Sequence, residues 1–186
     1  RYKYKGALDE VRIWNAVQTQ NDIRANMCKV LSGTESGLLA AYSFDEGAGT
    51  QISDLSGTYS AELKNNPQWM DSRAPIGDVA VQTYPASWAG QTLSYTSTAH
   101  GDFSLSNFSG NPVGAHLYFI NDTVADSTGI NALKANNGYF GVFVVDSGAL
   151  TYDYSYDYTA FTKAMAAENG IDLYQRMLSD ASWSLG

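Results

Sequence analysis

The sequence predicts a mostly β protein, an antiparallel β-sandwich or jelly roll with one short amphipathic helix near its N-terminus. Three observations lead there. The 186 residues are 44% apolar and 13% aromatic, enough for a packed core, yet only 16% are charged. That balance favours short strands and polar turns over long charged helices. Alternating apolar and polar stretches recur from Val79 onward, separated by Gly, Asn, Asp and Ser turns. The plainest helical period comes early, at residues 19–31.

The first element is the strand in "DEVRIWN". Its alternation sets Leu8, Glu10, Arg12 and Trp14 on one face and Asp9, Val11 and Ile13 on the other. Val11 and Ile13 with Ala7 form the cleaner core stripe, which leaves Trp14 at the rim to meet the helix. The strand pairs either with a body upstream of Arg1 or locally with "GLLAAYSF". The helix opens at Thr19, followed three residues later by Asp22 in a capping-box pattern. Ile23, Met27 and Val30 or Leu31 form its apolar stripe, and "SGTESG" ends it. A small meander follows, with strands at residues 38–44, 50–52 and in "SAEL". After the strand-like "QWM", Pro75 and Gly77 of "APIGD" interrupt pairing and divide the chain into domains 1–77 and 78–186.

Seven strands are expected in the second domain: "VAVQTYP", "QTLSYTST", "FSLSNFSG", "VGAHLYFIND", "GYFGVFVVD", "ALTYDYSYDY" and "IDLYQRML". They suffice for two sheets. "TAFTKAMAA" at 159–167 reads as a short helical loop or a strand edge.

Composition narrows the function. A formal charge of -8 without any Lys/Arg cluster argues against nucleic acid as a partner. No apolar run of about 18 residues spans a bilayer, and no signal peptide opens the chain. Without an initiator Met, and with "SWSLG" at its end, the sequence is expected to be a piece of a longer chain. A single cysteine, Cys28, excludes an internal disulfide and a multi-cysteine zinc site. Beside Met27 it reads as a half-buried structural thiol. His100 and His116 are too few and too separated for a catalytic or metal cluster.

Glycoside hydrolysis needs two carboxylates across a cleft. Asp9 with Glu10 and Asp45 with Glu46 point to opposite strand faces, whereas Asp153 and Asp157 share a face with Ser155; a solvated strand face is the plainer reading. No nucleophile elbow, HExxH, P-loop or dinucleotide fingerprint occurs, so the chain is expected not to be an enzyme. Calcium is the cofactor the sequence admits, since hard cations take oxygen ligands. Asp45, Glu46 and Asp54 gather in "FDEGAGTQISDLSG", and Asn121, Asp122 and Asp126 in "FINDTVADSTG". The same residues also suit turns, where they hydrogen-bond their own backbone.

Tyrosine stands out, with 13 in all. Tyr152, Tyr154, Tyr156 and Tyr158 recur every second residue, opposite Thr151, Asp153, Ser155 and Asp157. They form either the inner face of the sandwich or a sugar-stacking, adhesive surface. Trp69, Trp88 and Trp183 read as structural plugs, and the sequons at Asn107 and Asn121 as coincidental.

"YKGALDEVRIWNAVQTQNDIRANM", "ESGLLAAYSFDEGAGTQISDLSG", "AEL" and "WMDSRAPIG" together resemble the closing strand and C-terminal extension of laminin G-like, concanavalin A-like jelly-roll modules. The resemblance covers about residues 2–77. Such modules occur in very large secreted surface proteins of bacteria, especially Bacteroidota. It implies that most of the jelly roll, with any ligand face and calcium site, lies upstream of Arg1. The second region looks similar to β-sandwich repeats that follow such modules. Function is then expected to be that of a non-catalytic extracellular segment of a surface or secreted adhesin, in attachment or as a stalk. The rivals are a carbohydrate-binding module of a polysaccharide-degrading enzyme and a subunit segment of a surface filament or homo-oligomer. Expected partners are neighbouring domains of the same chain and a cell-surface glycan or glycoprotein.

Overall fold

In the computed structural model, which describes residues 4–124, 127–130, 138–145, 150–157, 159, 174–176, 182 and 184–185, the elements fall into two units, Arg1–Ala74 and Pro75–Gly186. Residues 160–167, the bulk of the segment read as a short helical loop or a strand edge, and Trp183 lie outside the described residues.

In the first unit, strand β1 (Val11–Trp14) pairs antiparallel with β2 (Leu38–Tyr42), Val11 opposite Tyr42 and Ile13 opposite Ala40. β1 therefore finds a partner locally. The helix α1 (Gln20–Asn26) begins with the expected capping box: the Thr19 hydroxyl accepts from the Asp22 amide, and the Asp22 carboxylate accepts from the Thr19 amide. It ends five residues earlier than the periodicity suggests. Arg12 marks the end, donating from Nη1 to the Asn26 carbonyl at 2.5 Å and from Nη2 to the Lys29 carbonyl at 2.7 Å. A cation on the last carbonyls suits the negative end of a helix.

This contact reverses the expected orientation of β1. Ala7 and Ile13 are exposed, and the Glu10–Arg12 face carries a 2.8 Å ion pair with both side chains largely covered. Anchoring the guanidinium to the helix end outweighs burying Ile13, because an unpaired buried Arg is costly and an exposed Ile is not. Trp14 meets the helix as expected, lining a shallow cleft with Arg12, Ile23 and Met27. The expected helical stripe fails similarly: Ile23 and Val30 are exposed, while Cys28 and Leu31 are buried beyond the helix end. An antiparallel pair of two-residue strands, β3 (Gln51–Ile52) and β4 (Ala61–Glu62), follows. Residues 68–70 form no strand. The Trp69 indole instead donates to the Gly49 carbonyl at 3.1 Å.

The second unit contains β5 (Val79–Thr83), β6 (Leu93–Tyr95), β7 (Asp102–Ser109), β8 (Gly114–Ile120), β9 (Tyr139–Val145) and β10 (Thr151–Asp157). They form two antiparallel sheets, β5-β8-β9 and β6-β7-β10. A further pair joins β11 (Tyr174–Gln175) to β12 (Ser184–Leu185). Leu93, Tyr95 and Leu105 from one sheet share a core with Ala115, Leu117 and Phe119 from the other, so the architecture is a β-sandwich. Trp88 plugs it, its indole donating to the Pro112 carbonyl at 2.7 Å. Gly77 and Asp78 do not interrupt pairing but extend it: the Asp78 amide donates to the Phe119 carbonyl at 2.9 Å. A Cβ at Gly77 would press on that carbonyl oxygen at 2.5 Å.

β7 carries a bulge that reconciles its sequence with the core. In "DFSLSNFS" the apolar residues are Phe103, Leu105 and Phe108, so strict alternation would turn Phe108 outward. The β10 register slips there, Thr151 facing Ser109 but Asp153 facing Ser106, and Asn107 takes φ 50°. One extra residue returns Phe108 to the core, where it packs 4.7 Å from Trp88. The Asn107 amide donates to Asp153 at 2.7 Å. Asn tolerates this left-handed backbone whereas a β-branched residue does not. Asn107→Val is therefore expected to destabilise the second unit by about 1–2 kcal/mol more than Asn107→Gly, measured by urea denaturation of the full chain. Equal losses would show that the bulge stores no such constraint.

Candidate functional site

Among the described residues the most densely bonded side chain is Asp54, only 7% exposed. Its Oδ1 accepts from the amides of Ala41 at 2.9 Å and Ser56 at 3.0 Å. Its Oδ2 accepts from the Ser56 hydroxyl at 2.5 Å and from the amides of Thr58 at 3.1 Å and Tyr59 at 2.8 Å. Burial alone would raise its pKa, but the Ser56 hydroxyl and the surrounding amides hold the carboxyl well below the usual carboxylate range. These donors present their hydrogens to the oxygens, an arrangement that suits an anion and repels a cation. Asp54 thus ties the loop 54–59 to β2 and does not fit a calcium ligand.

Of the other acidic candidates, Glu46 accepts from the Ser53 amide at 2.8 Å, Asp45 is exposed, and Asp122 accepts from the Thr123 amide at 2.6 Å. Asn121 donates its own amide to Asp78 at 2.7 Å. Asp126 lies outside the described residues. Among the described residues no three His, Cys, Asp or Glu side chains are grouped to hold a metal. Asp9 meets the Ser72 hydroxyl and Glu10 pairs with Arg12, while Asp157 accepts from Thr159. Burial, only partly offset by Arg12, raises the Glu10 carboxyl above its ordinary value. Cys28 is fully buried, which pushes its thiol up to about 11, so it stays protonated and a poor nucleophile.

The tyrosine series belongs to the inner face and to the surface at once. Tyr154 sits opposite Leu105 and Tyr156 opposite Phe103, so both share the core-facing side of the sheet. Tyr156 is half-buried and its hydroxyl donates to the His100 carbonyl at 2.7 Å. Tyr152, also half-buried, lies 6.1 Å from Phe108. Burial raises the pKa of both phenols. Tyr154 differs: it stacks on Phe103 at 5.9 Å, with planes 7° apart, yet is 40% exposed. Tyr158 lies outside the described residues. On the opposite face Thr151, Asp153, Ser155 and Asp157 are exposed.

One polar pair escaped the sequence reading. His116 lies on the side of β8 away from Leu117, opposite Gln82 and Phe143, and is 1% exposed. Its Nε2 meets the Tyr84 hydroxyl at 2.7 Å. Alternation alone places this position toward water; the covering rings of Tyr84 and Phe143, 5.6 and 6.1 Å away, are visible only once the register is known. Burial lowers the imidazole pKa. A neutral imidazole is chemically a base, but one sealed from solvent reaches no substrate, so the pair is a packing element.

No family model matches the chain, and neither the curated proteins nor the solved structures yield a match.

Two separate pH dependences follow. His116 is held neutral, so below its ordinary value of 6.5 the unfolded chain binds a proton the folded one refuses, and the second unit loses stability as pH falls. Asp54 is held ionised, so its contribution is complete above 3.8 and is lost as pH falls below it. Hydrogen exchange of the Leu117 amide against those of Ala41 and Tyr59 separates the two windows. His116→Gln is expected to flatten the first. Asp54→Asn is expected to weaken the first unit at neutral pH and flatten the second.

Proposed function

We propose that the chain is a non-catalytic β-sandwich segment of a large secreted or surface-exposed bacterial adhesin, serving attachment or acting as a stalk. The observation that carries this reading is what the carboxylates do. Asp22, Glu35, Glu46, Asp54, Asp78 and Asp102 each accept a backbone amide. Their charge is committed to holding turns and loop ends, the role expected of acidic residues in a scaffold. Resemblance of residues 2–77 to laminin G-like modules supports the extracellular setting.

A second reading, glycan binding, is favoured by Tyr154. A ring stacked from behind on Phe103 and open in front offers a rigid, partly apolar platform for a sugar face at little entropic cost. Tyr152 and Tyr156 flank it on the same strand.

Glycan arrays probed with the full chain and with Tyr154→Ala distinguish the two. A signal lost in a variant that keeps its far-ultraviolet circular dichroism identifies a lectin edge. Absence of signal from both, with no reducing ends released from polysaccharides, is the outcome expected of a stalk. Release of reducing ends by the chain itself would overturn both readings.

A further inference from the structure

Strand β10 is an edge of the β6-β7-β10 sheet among the described residues, where it pairs with β7 alone. Thr151, Asp153, Ser155 and Asp157 are exposed on the outer face, and Tyr154 on the inner face is 40% exposed. Edge strands are usually blunted by charged side chains, lysine above all, by proline or by a bulge of their own. "TYDYSYD" has neither lysine nor proline, its only charges are the carboxylates of Asp153 and Asp157, and the extra residue of the bulge belongs to β7.

We propose that β10 is a homodimerisation edge, two copies pairing antiparallel about a two-fold axis at Tyr154 to make one continuous six-stranded sheet. Such an axis, perpendicular to the sheet, keeps inner faces with inner faces, so the residue numbers of each facing pair sum to an even constant. Centred on Tyr154, Tyr152 faces Tyr156 of the second copy, Asp153 faces Ser155 and Thr151 faces Asp157. All seven residues pair, aromatic lies against aromatic, and no two carboxylates meet. Centring on Asp153 sets Asp153 against its own copy. Centring on Ser155 sets Asp153 against Asp157 twice. Like charges directly opposite are destabilising, so the alternation of Asp, Ser and Thr on the outer face selects one register. Pairing covers Tyr154 from the side now open to water, so a glycan and a second copy compete for that ring.

The test is sedimentation velocity of the full 186-residue chain across concentration, with variants that read the register. Ser155 is exposed, and neither variant at this position is expected to alter the circular dichroism of the monomer. Ser155→Asp places a carboxylate against Asp153 of the other copy twice per dimer and is expected to weaken association about tenfold. Ser155→Lys turns both contacts attractive and is expected to tighten it. Tyr154→Cys, with Cys28 buried and out of reach, is expected to cross-link under mild oxidation. A chain that stays monomeric at every concentration overturns the proposal. So does a dimer that responds identically to Ser155→Asp and Ser155→Lys, or one in which Tyr154→Cys does not cross-link.

Discussion

A sandwich holds together only while every strand keeps its apolar residues on the face that meets the opposite sheet, and β7 is where that constraint binds hardest. It is the central strand of its sheet, pairing with both β6 and β10, and its Leu105 has no exposed surface. Three large apolar residues at spacings of two and then three cannot share one face of a regular strand. The bulge at Asn107 removes the conflict and moves its cost onto one left-handed residue. Everything that leans on the inner face of β7 inherits the result: Trp88 against Phe108, Phe140 against Phe103, and Tyr152 at the far end. A regular β7 would turn Phe108 into water and open a gap beside Trp88.

The same arithmetic explains what was legible in the sequence. Strands β5 to β10 were visible because alternation is a local property, carried by residues such as Val79, Leu105 and Leu117 whatever their neighbours. The capping box was visible for the same reason, since Thr19 and Asp22 act within one turn. Orientation in the first unit was not. Whether Ile13 or Arg12 turns toward the helix depends on carbonyls at Asn26 and Lys29, more than ten residues away, and no period in "DEVRIWN" encodes them. The helix ran short for a related reason: Leu31 is buried after the chain has left the helix, so its spacing from Met27 looked helical without being so. At the candidate sites, acidic residues clustered in sequence looked like ligands because calcium loops and hydrogen-bonded turns draw on one vocabulary. Only the direction of the hydrogens separates them.

Asp54 shows how much that direction decides. A carboxylate buried without partners would take up a proton and release the loop; one ringed by amides stays ionised and holds it. The loop 54–59 returns to β2 in two ways, through the carboxylate and through the Leu55 amide on the Ala41 carbonyl at 2.8 Å. Gly33 passes so close to the Leu55 carbonyl that any side chain there would collide with it, at a φ of 86° that already favours glycine. Backbone runs against backbone at this point, and a small unit with two-residue strands gains order from one anion that longer ladders would otherwise supply.

Tyrosine at the sandwich edge obeys a different economy. A central strand is flanked on both sides, so its inner residues can be wholly apolar, as Leu105 and Leu117 are. On the edge strand β10 the inner-facing residues are half in water: Tyr152 and Tyr156 are half-buried and Tyr154 is 40% exposed. Phenylalanine there would expose its rim at full hydrophobic cost, and serine would leave the core unfilled. Tyrosine packs its ring and keeps its hydroxyl wet or bonded, as Tyr156 does through the His100 carbonyl. Edge position alone does not set this, since Leu93 and Tyr95 on the edge strand β6 are buried; along β10 the tyrosines fill the half-covered inner face beside Phe103 and Phe140. An aromatic row that is both core and surface is the natural product of that half-covered face, and any partner that docks on β10 meets a surface the fold had to build for its own stability.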